Sequence, residues 1–295
     1  MTQYTHQTAP TQFVDARNSR FAYRRLGKSG GVPLVFNMHF MGTMDHWDPA
    51  VTDGLAKERE VILFDNAGVS SSSGDVPETF AEMGANAIAF IRALGLKQAD
   101  VLGFSIGGLV AQEIALQAPD IVRRLVLVGT GPRSGESMDT GTPEGARIFG
   151  ATYENPDDLW LRVHFTPSQA SQAAGRRFLK RSQLRSEDRD PQVTGTAALA
   201  QRAAIGKWGA KDENAWDYLK DIRQPALIVN GSNDVIIYTV NSYILQQNLP
   251  NAQLIIYPDS AHGSLFQYPA LFVVDVTRFL NAEVPFPTEE PGHHD

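Results

Sequence analysis

The chain has 295 residues, 26 basic against 33 acidic side chains for a formal net charge of −7, and no cysteine. That length holds one large α/β domain or two smaller ones, and a hydrophobic fraction of 42% supports a substantial core. The acidic balance, with no long Lys/Arg run, argues against nucleic acid and anionic membrane as partners. Without cysteine there are no disulfides, no thiolate catalysis, and no zinc-finger or iron–sulfur ligation. The start, Met1-Thr2-Gln3-Tyr4-Thr5-His6, has neither a basic cluster nor an apolar run, so no secretory signal is read there. No apolar stretch approaches the ~20 residues that span a bilayer. The expectation is a cytoplasmic globular protein, with a homo-oligomer left open.

In chain order, Ser19–Arg25 reads as an antiparallel edge strand. Short apolar runs rich in β-branched residues then follow at Val32–Met38, Val61–Phe64, Ala99–Leu102, Leu125–Val128, Ala226–Val229 and Leu254–Tyr257. Runs of that kind suit parallel strands buried on both faces. Helical patterns fall between them at Thr79–Leu94, Leu109–Gln117 and Tyr238–Leu249, with Ala270–Leu280 after the last. Strand and helix in alternation predict an α/β fold with a mainly parallel sheet flanked by helices.

The alternation stops between Pro132 and Asp221. That polar segment carries helix signals at Thr142–Tyr153, Pro156–Val163, Pro167–Leu184 and Pro191–Lys207, each with a proline near its start. A helical insert there predicts a cap across the carboxyl ends of the strands, where open α/β sheets bind ligands. The expected organisation is a core over residues 1–131 and 222–282, a cap over 132–221, and a flexible tail from 283 to 295.

The densest motif is Val101-Leu102-Gly103-Phe104-Ser105-Ile106-Gly107-Gly108, a strand running through Gly-x-Ser-x-Gly into a helix. This is the setting of a nucleophile elbow, in which a strained turn thrusts the serine hydroxyl outward. A serine hydroxyl is a weak nucleophile and needs a base, and the base needs an acid to orient it. His262 follows the strand ending at Tyr257, and Asp234 follows the strand ending at Val229, so both loops leave the sheet edge that carries Ser105. Asp259 is a rival acid, but at three residues from His262 it is better placed to cap the turn. Asp65, after an earlier strand, is a weaker rival. One oxyanion donor is expected at the backbone N–H of Ile106.

These features resemble the α/β-hydrolase superfamily from about Ser19 to Leu280. The resemblance rests on the elbow, the Asp234 and His262 loops, the Asp65-Asn66-Ala67-Gly68-Val69-Ser70 turn and the insert before Asp234. It implies a second oxyanion donor in the loop His39-Phe40-Met41-Gly42, at the N–H of Met41. Phe40 stands where members of that superfamily usually carry glycine, and could add an aromatic wall to the pocket.

Other patterns read as structural. His39, Asp45, His46 and Asp48 lack the spacing that aims ligands at one metal ion, so no metal is expected. His39 reads as a hydrogen-bonding residue beside the oxyanion loop. Trp160 and Trp208 in the insert are candidate pocket walls against the plainer reading of packed aromatics. The overall expectation is a serine hydrolase without a cofactor. It would cleave an ester or lactone of a small to medium apolar molecule, with the insert choosing the substrate and supplying no catalytic group. Alternatives are a triad-retaining sensor that holds its ligand, a cofactor-free haloperoxidase or perhydrolase, and a carbon–carbon bond hydrolase.

Overall fold

The computed structural model describes residues 4–283. Residues 284–295 of the expected tail lie outside the described residues. The strands are β1 (Gln12–Ala16), β2 (Ser19–Gly27), β3 (Leu34–Asn37), β4 (Glu60–Phe64), β5 (Ala99–Phe104), β6 (Val122–Val128), β7 (Ala226–Gly231) and β8 (Ala252–Tyr257). They form one sheet in the order β1-β2-β4-β3-β5-β6-β7-β8. β2 pairs antiparallel with both β1 and β4, and every later pairing is parallel. The expected edge strand at Ser19–Arg25 is therefore antiparallel but not at the edge. That place belongs to β1, whose side chains alternate between half-buried and exposed and so give no apolar run to find.

The helices are α1 (Pro49–Ala56), α2 (Phe80–Ala93), α3 (Ile106–Gln117), α4 (Pro143–Gly150), α5 (Pro156–His164), α6 (Gln169–Ser182), α7 (Gly195–Gly209), α8 (Val240–Asn248), α9 (Ser264–Gln267) and α10 (Pro269–Asn281). α1 has no counterpart among the expected helices, although its start signal is legible. Asp48 accepts a hydrogen bond from Ala50 N at 2.9 Å, and Pro49 opens the first turn. α6 and α7 begin later than their prolines suggested. Ser168 and Thr194 cap them by accepting from Ser171 N and Ala197 N, so Pro167 and Pro191 lie just outside.

Period-two alternation divides the central strands between two cores. Val35, Val101, Leu125, Leu127 and Ile228 face one side with α2, α3 and α8. Phe36, Leu102, Phe104, Val126 and Val229 face the other with α1 and α10. Burial on both faces explains why these strands read as continuous apolar runs. Among the described residues no helix is long and apolar enough to cross a membrane.

Helices α4 to α7 stand between β6 and β7 in sequence, and this segment, through α7 and the linkers between its helices, contacts the loops that follow the carboxyl ends of the strands. Gln201 on α7 meets the loop after β3, Pro191 meets Ser70 after β4, and Thr166 and Ser168 meet Asp259 after β8. The α6–α7 linker is also tied to β2. Arg24, fully buried, donates to Asp45 at 2.5 Å and to Asp190 at 2.7 Å. A charge buried so deeply is tolerable only because both carboxylates answer it.

Candidate active site

The turn from β5 into α3 places Ser105 at φ +58° and ψ −124°, a region that non-glycine residues occupy only under compulsion. The compulsion is steric. A Cβ at Gly103 would overlap the Gly107 carbonyl, and one at Gly107 would overlap the Asn37 carbonyl. Ser105 N donates to Val128 O at 2.9 Å, which ties the elbow to β6. Its side chain projects beyond the sheet edge.

The loops after β7 and β8 complete a chain of hydrogen bonds. His262 Nδ1 lies 2.8 Å from Asp234 Oδ2, and His262 Nε2 lies 2.9 Å from Ser105 Oγ. An ionised carboxylate can only accept, so Nδ1–H donates to Asp234 and Nε2 accepts from the Ser105 hydroxyl. Asp234 Oδ1 accepts from Ile236 N at 2.9 Å and Ile237 N at 3.0 Å, which fixes the carboxylate beside His262. Ser105, Asp234 and His262 are 5%, 3% and 2% exposed, so all three are buried.

Ile106 opens α3, and among the described residues its N–H has no hydrogen-bond partner. Met41, at φ +56°, is the other position expected to offer a donor. Its N–H is already engaged, donating to Gln201 Oε1 at 2.9 Å. Phe40 is half-buried against the core, with the Arg202 guanidinium 5.8 Å from its ring centre.

A group of rings surrounds His262 that sequence reasoning did not assemble. His164, the last residue of α5, lies 5.8 Å from His262 with 14° between the rings, and Phe104 lies 5.0 Å away. His39 is 5.7 Å from His164 and 5.9 Å from His46. Trp160 touches His39, His46 and His164 at 5.4, 5.0 and 5.1 Å. Burial brings His39 down to about 3, with repulsion from His46 adding to it and the Phe40 carbonyl opposing. Burial brings His46 down to about 4, and it holds His164 well below the usual imidazole range, helped by His39, His262 and His46. His39, His46 and His164 are thus neutral imidazoles, and His164 adjoins His262. His164 was visible in the sequence, but nothing in α5 signals that its C-terminal residue would reach the loop after β8.

The remaining candidates separate cleanly. Trp160 joins the ring group. Trp208 does not: it packs in the core against Phe80 and Tyr218, with Arg133 over its ring, because α7 turns that face toward α2. Asp259 does not cap its own turn. Its carboxylate accepts from Thr166 and Ser168 at 2.7 and 2.5 Å and so holds the insert. Asp65 accepts from Met44 N, and burial pushes its carboxyl well above the usual range, with the nearby Asp190 carboxylate adding to the shift. Asp45 and Asp48 are taken by Arg24 and Arg181.

Comparison with known proteins gives the family of the chain. Residues 32–269 match the family described as alpha/beta hydrolase fold. A solved alpha/beta hydrolase fold protein from Chitinophaga pinensis is 42% identical, with a TM-score of 0.89 over 95% of this chain and 100% of that one. A pimeloyl-[acyl-carrier protein] methyl ester esterase from Nitrosomonas europaea is 33% identical over 59% of this chain and 68% of its own. A Rhizobium rhizogenes protein called RutD, provisionally named a carbamate hydrolase, is 24% identical over 89% of this chain and 97% of its own.

Proposed function

Because the chain belongs to the alpha/beta hydrolase fold family, we propose that it is a hydrolase opening carboxylic esters or lactones through an acyl-enzyme on Ser105. The observation that carries this reading is the continuous chain Ser105–His262–Asp234, with the carboxylate anchored by two backbone N–H groups. Ser105 Oγ attacks the substrate carbonyl as His262 Nε2 takes its proton. Asp234 holds the imidazole in the required tautomer and stabilises the imidazolium. The Ile106 N–H, at the positive end of α3, faces the developing oxyanion. His262 passes the proton to the leaving oxygen, then draws one from the water that releases the acid. No cofactor takes part in these steps.

The enclosed site and its aromatic surroundings suit a small to medium substrate with an apolar acyl group. The similarity to an esterase supports the ester reading. The likeness to RutD over most of the chain keeps carbamates among the substrates to try, since a carbamoyl group is carried by the same serine chemistry.

The test has two parts. A fluorophosphonate should label wild-type protein at Ser105, located by peptide mapping, and should not label Ser105→Ala. Turnover of p-nitrophenyl esters of graded chain length, lactones and aryl carbamates then ranks the classes. Labelling that persists in Ser105→Ala overturns the assignment. Retention of one ligand per chain without turnover favours a sensor, and acetate-dependent halogenation with peroxide favours a perhydrolase.

A further inference from the structure

The sheet ends on β1 at one side and on β8 at the other. An open edge invites another strand, and proteins blunt it with charge, proline or a bulge. β1 carries Asp15, exposed to solvent, with Arg17 directly after the strand. β8 has none of these devices. Its six residues, Ala252-Gln253-Leu254-Ile255-Ile256-Tyr257, are uncharged, and its register against β7 is unbroken. The neutrality reaches well beyond the strand. The 24 residues from Val235 to Pro258 include no Asp, Glu, Lys or Arg, in a chain where 20% of residues are charged.

The backbone of β8 is also arranged to pair. Ala226 N donates to Asn251 O and Ser232 N to Tyr257 O, so the odd-numbered residues of β8 bond to β7. Leu254 and Ile256 therefore turn their N–H and C=O groups to the open edge, where among the described residues nothing meets them. Ala252 O, nearer the start, accepts from Gln246 Nε2 at 3.4 Å. Ile256 is 38% exposed, and Leu254 and Ile255 are half-buried. Tyr243, 55% exposed, lies one helical turn from Gln246 and so flanks the strand on α8.

We propose that this edge pairs with the same edge of a second copy, β8 antiparallel to β8 about a twofold axis, joining the two sheets into one. The outward groups fix the register. With Ile255 on the axis, Leu254 of one copy faces Ile256 of the other, and each such pair exchanges two N–H···O bonds. A twofold axis sets each group near its own kind, so a charged edge would repel its copy. On a chain of net charge −7, the uncharged edge is the one that escapes this repulsion. The area is also of the right order. Six residues span roughly 20 Å, and α8 on one face with α10 on the other makes the edge roughly 30 Å wide. The product, about 600 Å², is close to the ~800 Å² that each partner gives to an interface of ordinary size. The pairing is independent of the chemistry at Ser105, although β8 leads directly into the loop that carries His262.

The test uses full-length protein. Sedimentation velocity over a dilution series should show a species of twice the 32.3 kDa chain mass that dissociates on dilution. Ile256→Lys brings two ammonium groups to the paired strands, and Tyr243→Glu brings two carboxylates to the flanking helices. Each should raise the dimer Kd by about 100-fold. Both residues are exposed, and either variant serves if the other does not fold. Leu199→Lys, the same kind of change at a residue 67% exposed on α7, should leave Kd unchanged. Ile255→Cys checks the register. In a chain without cysteine, a thiol on the axis should form a disulfide between copies under mild oxidation, and Leu199→Cys should not. A monomer at every concentration overturns the proposal and leaves the edge to a different partner. A dimer that tolerates both Ile256→Lys and Tyr243→Glu, or that gives no cross-link through Ile255→Cys, overturns it as well.

Discussion

His164 and His262 lie face to face, their ring centres 5.8 Å apart and their planes 14° from parallel. The backbone reinforces the contact, since Gly263 N donates to His164 O at 3.0 Å. The insert thereby touches the proposed base directly. An aromatic contact of this kind contributes about 0.5–1.5 kcal/mol beyond burial. His164→Ala should lower kcat by up to about tenfold, while His164→Phe, which keeps a ring in place, should stay within about threefold of wild type. Steady-state kinetics on one ester for both variants decides it, and equal losses would show that the imidazole itself is needed.

Asp234 and Asp259 make opposite predictions. Asp234→Asn should keep the fold and reduce kcat by about two to four orders of magnitude, because the His262 tautomer is no longer enforced. Asp259→Asn weakens the ties to Thr166 and Ser168, a surface contact of the insert, and should cost only a few-fold. Circular dichroism with kcat for both variants checks the pair. A severe loss in Asp259→Asn with a mild one in Asp234→Asn would reverse the assignment.

The buried imidazoles also make stability depend on pH. His164 is held neutral in the fold well below the ordinary imidazole value of 6.5. Between that value and its folded value the unfolded chain binds a proton that the native one does not. Its contribution is therefore complete above about pH 6.5 and is lost as pH falls below it. Asp190 has the opposite sign: burial raises it to about 6, so its contribution is present at low pH and lost as pH rises through 6. Replacing His164 by Phe should flatten the rise of unfolding free energy from pH 4.5 to 6.5 by up to about 1.4 kcal/mol per pH unit. Asp190→Asn should steepen it. Urea titrations across this range test both signs.

The two tryptophans of the insert should part company. Trp160 lies among His39, His46 and His164, so Trp160→Ala should reorder the substrate ranking, with shifts of about 1–3 kcal/mol between substrates. Trp208 is packed against Phe80 and Tyr218, so Trp208→Ala should cost about 3–5 kcal/mol of stability and leave the ranking alone. Chemical denaturation and an ester panel on each variant separate the outcomes.

Most of this molecule was readable from local chemistry. Strands buried on both faces announce themselves as unbroken apolar runs, and β3 to β7 were found that way; β8 was found from its apolar run although most of its residues are only half-buried. The Gly103-Phe104-Ser105-Ile106-Gly107 turn is legible because its steric needs fall within five consecutive residues. Asp234 and His262 were found because each follows directly on a strand, and parallel strands return the chain to one edge. β1 was missed because a half-exposed edge strand has no such run. α1 was missed although Asp48 and Pro49 marked its start.

Sequence by itself therefore determined the sheet, the elbow and the order in which Ser105, Asp234 and His262 come to the strand ends. Only the tertiary structure decided what lies over them. The insert brings His164 and Trp160 to the ring group and Gln201 to Met41, while the same helix α7 sends Trp208 into the core. Those contacts depend on how four short helices pack across loops far away in sequence. Helical periodicity marks which face of a helix is apolar, but it carries no information about which distant loop that face will meet.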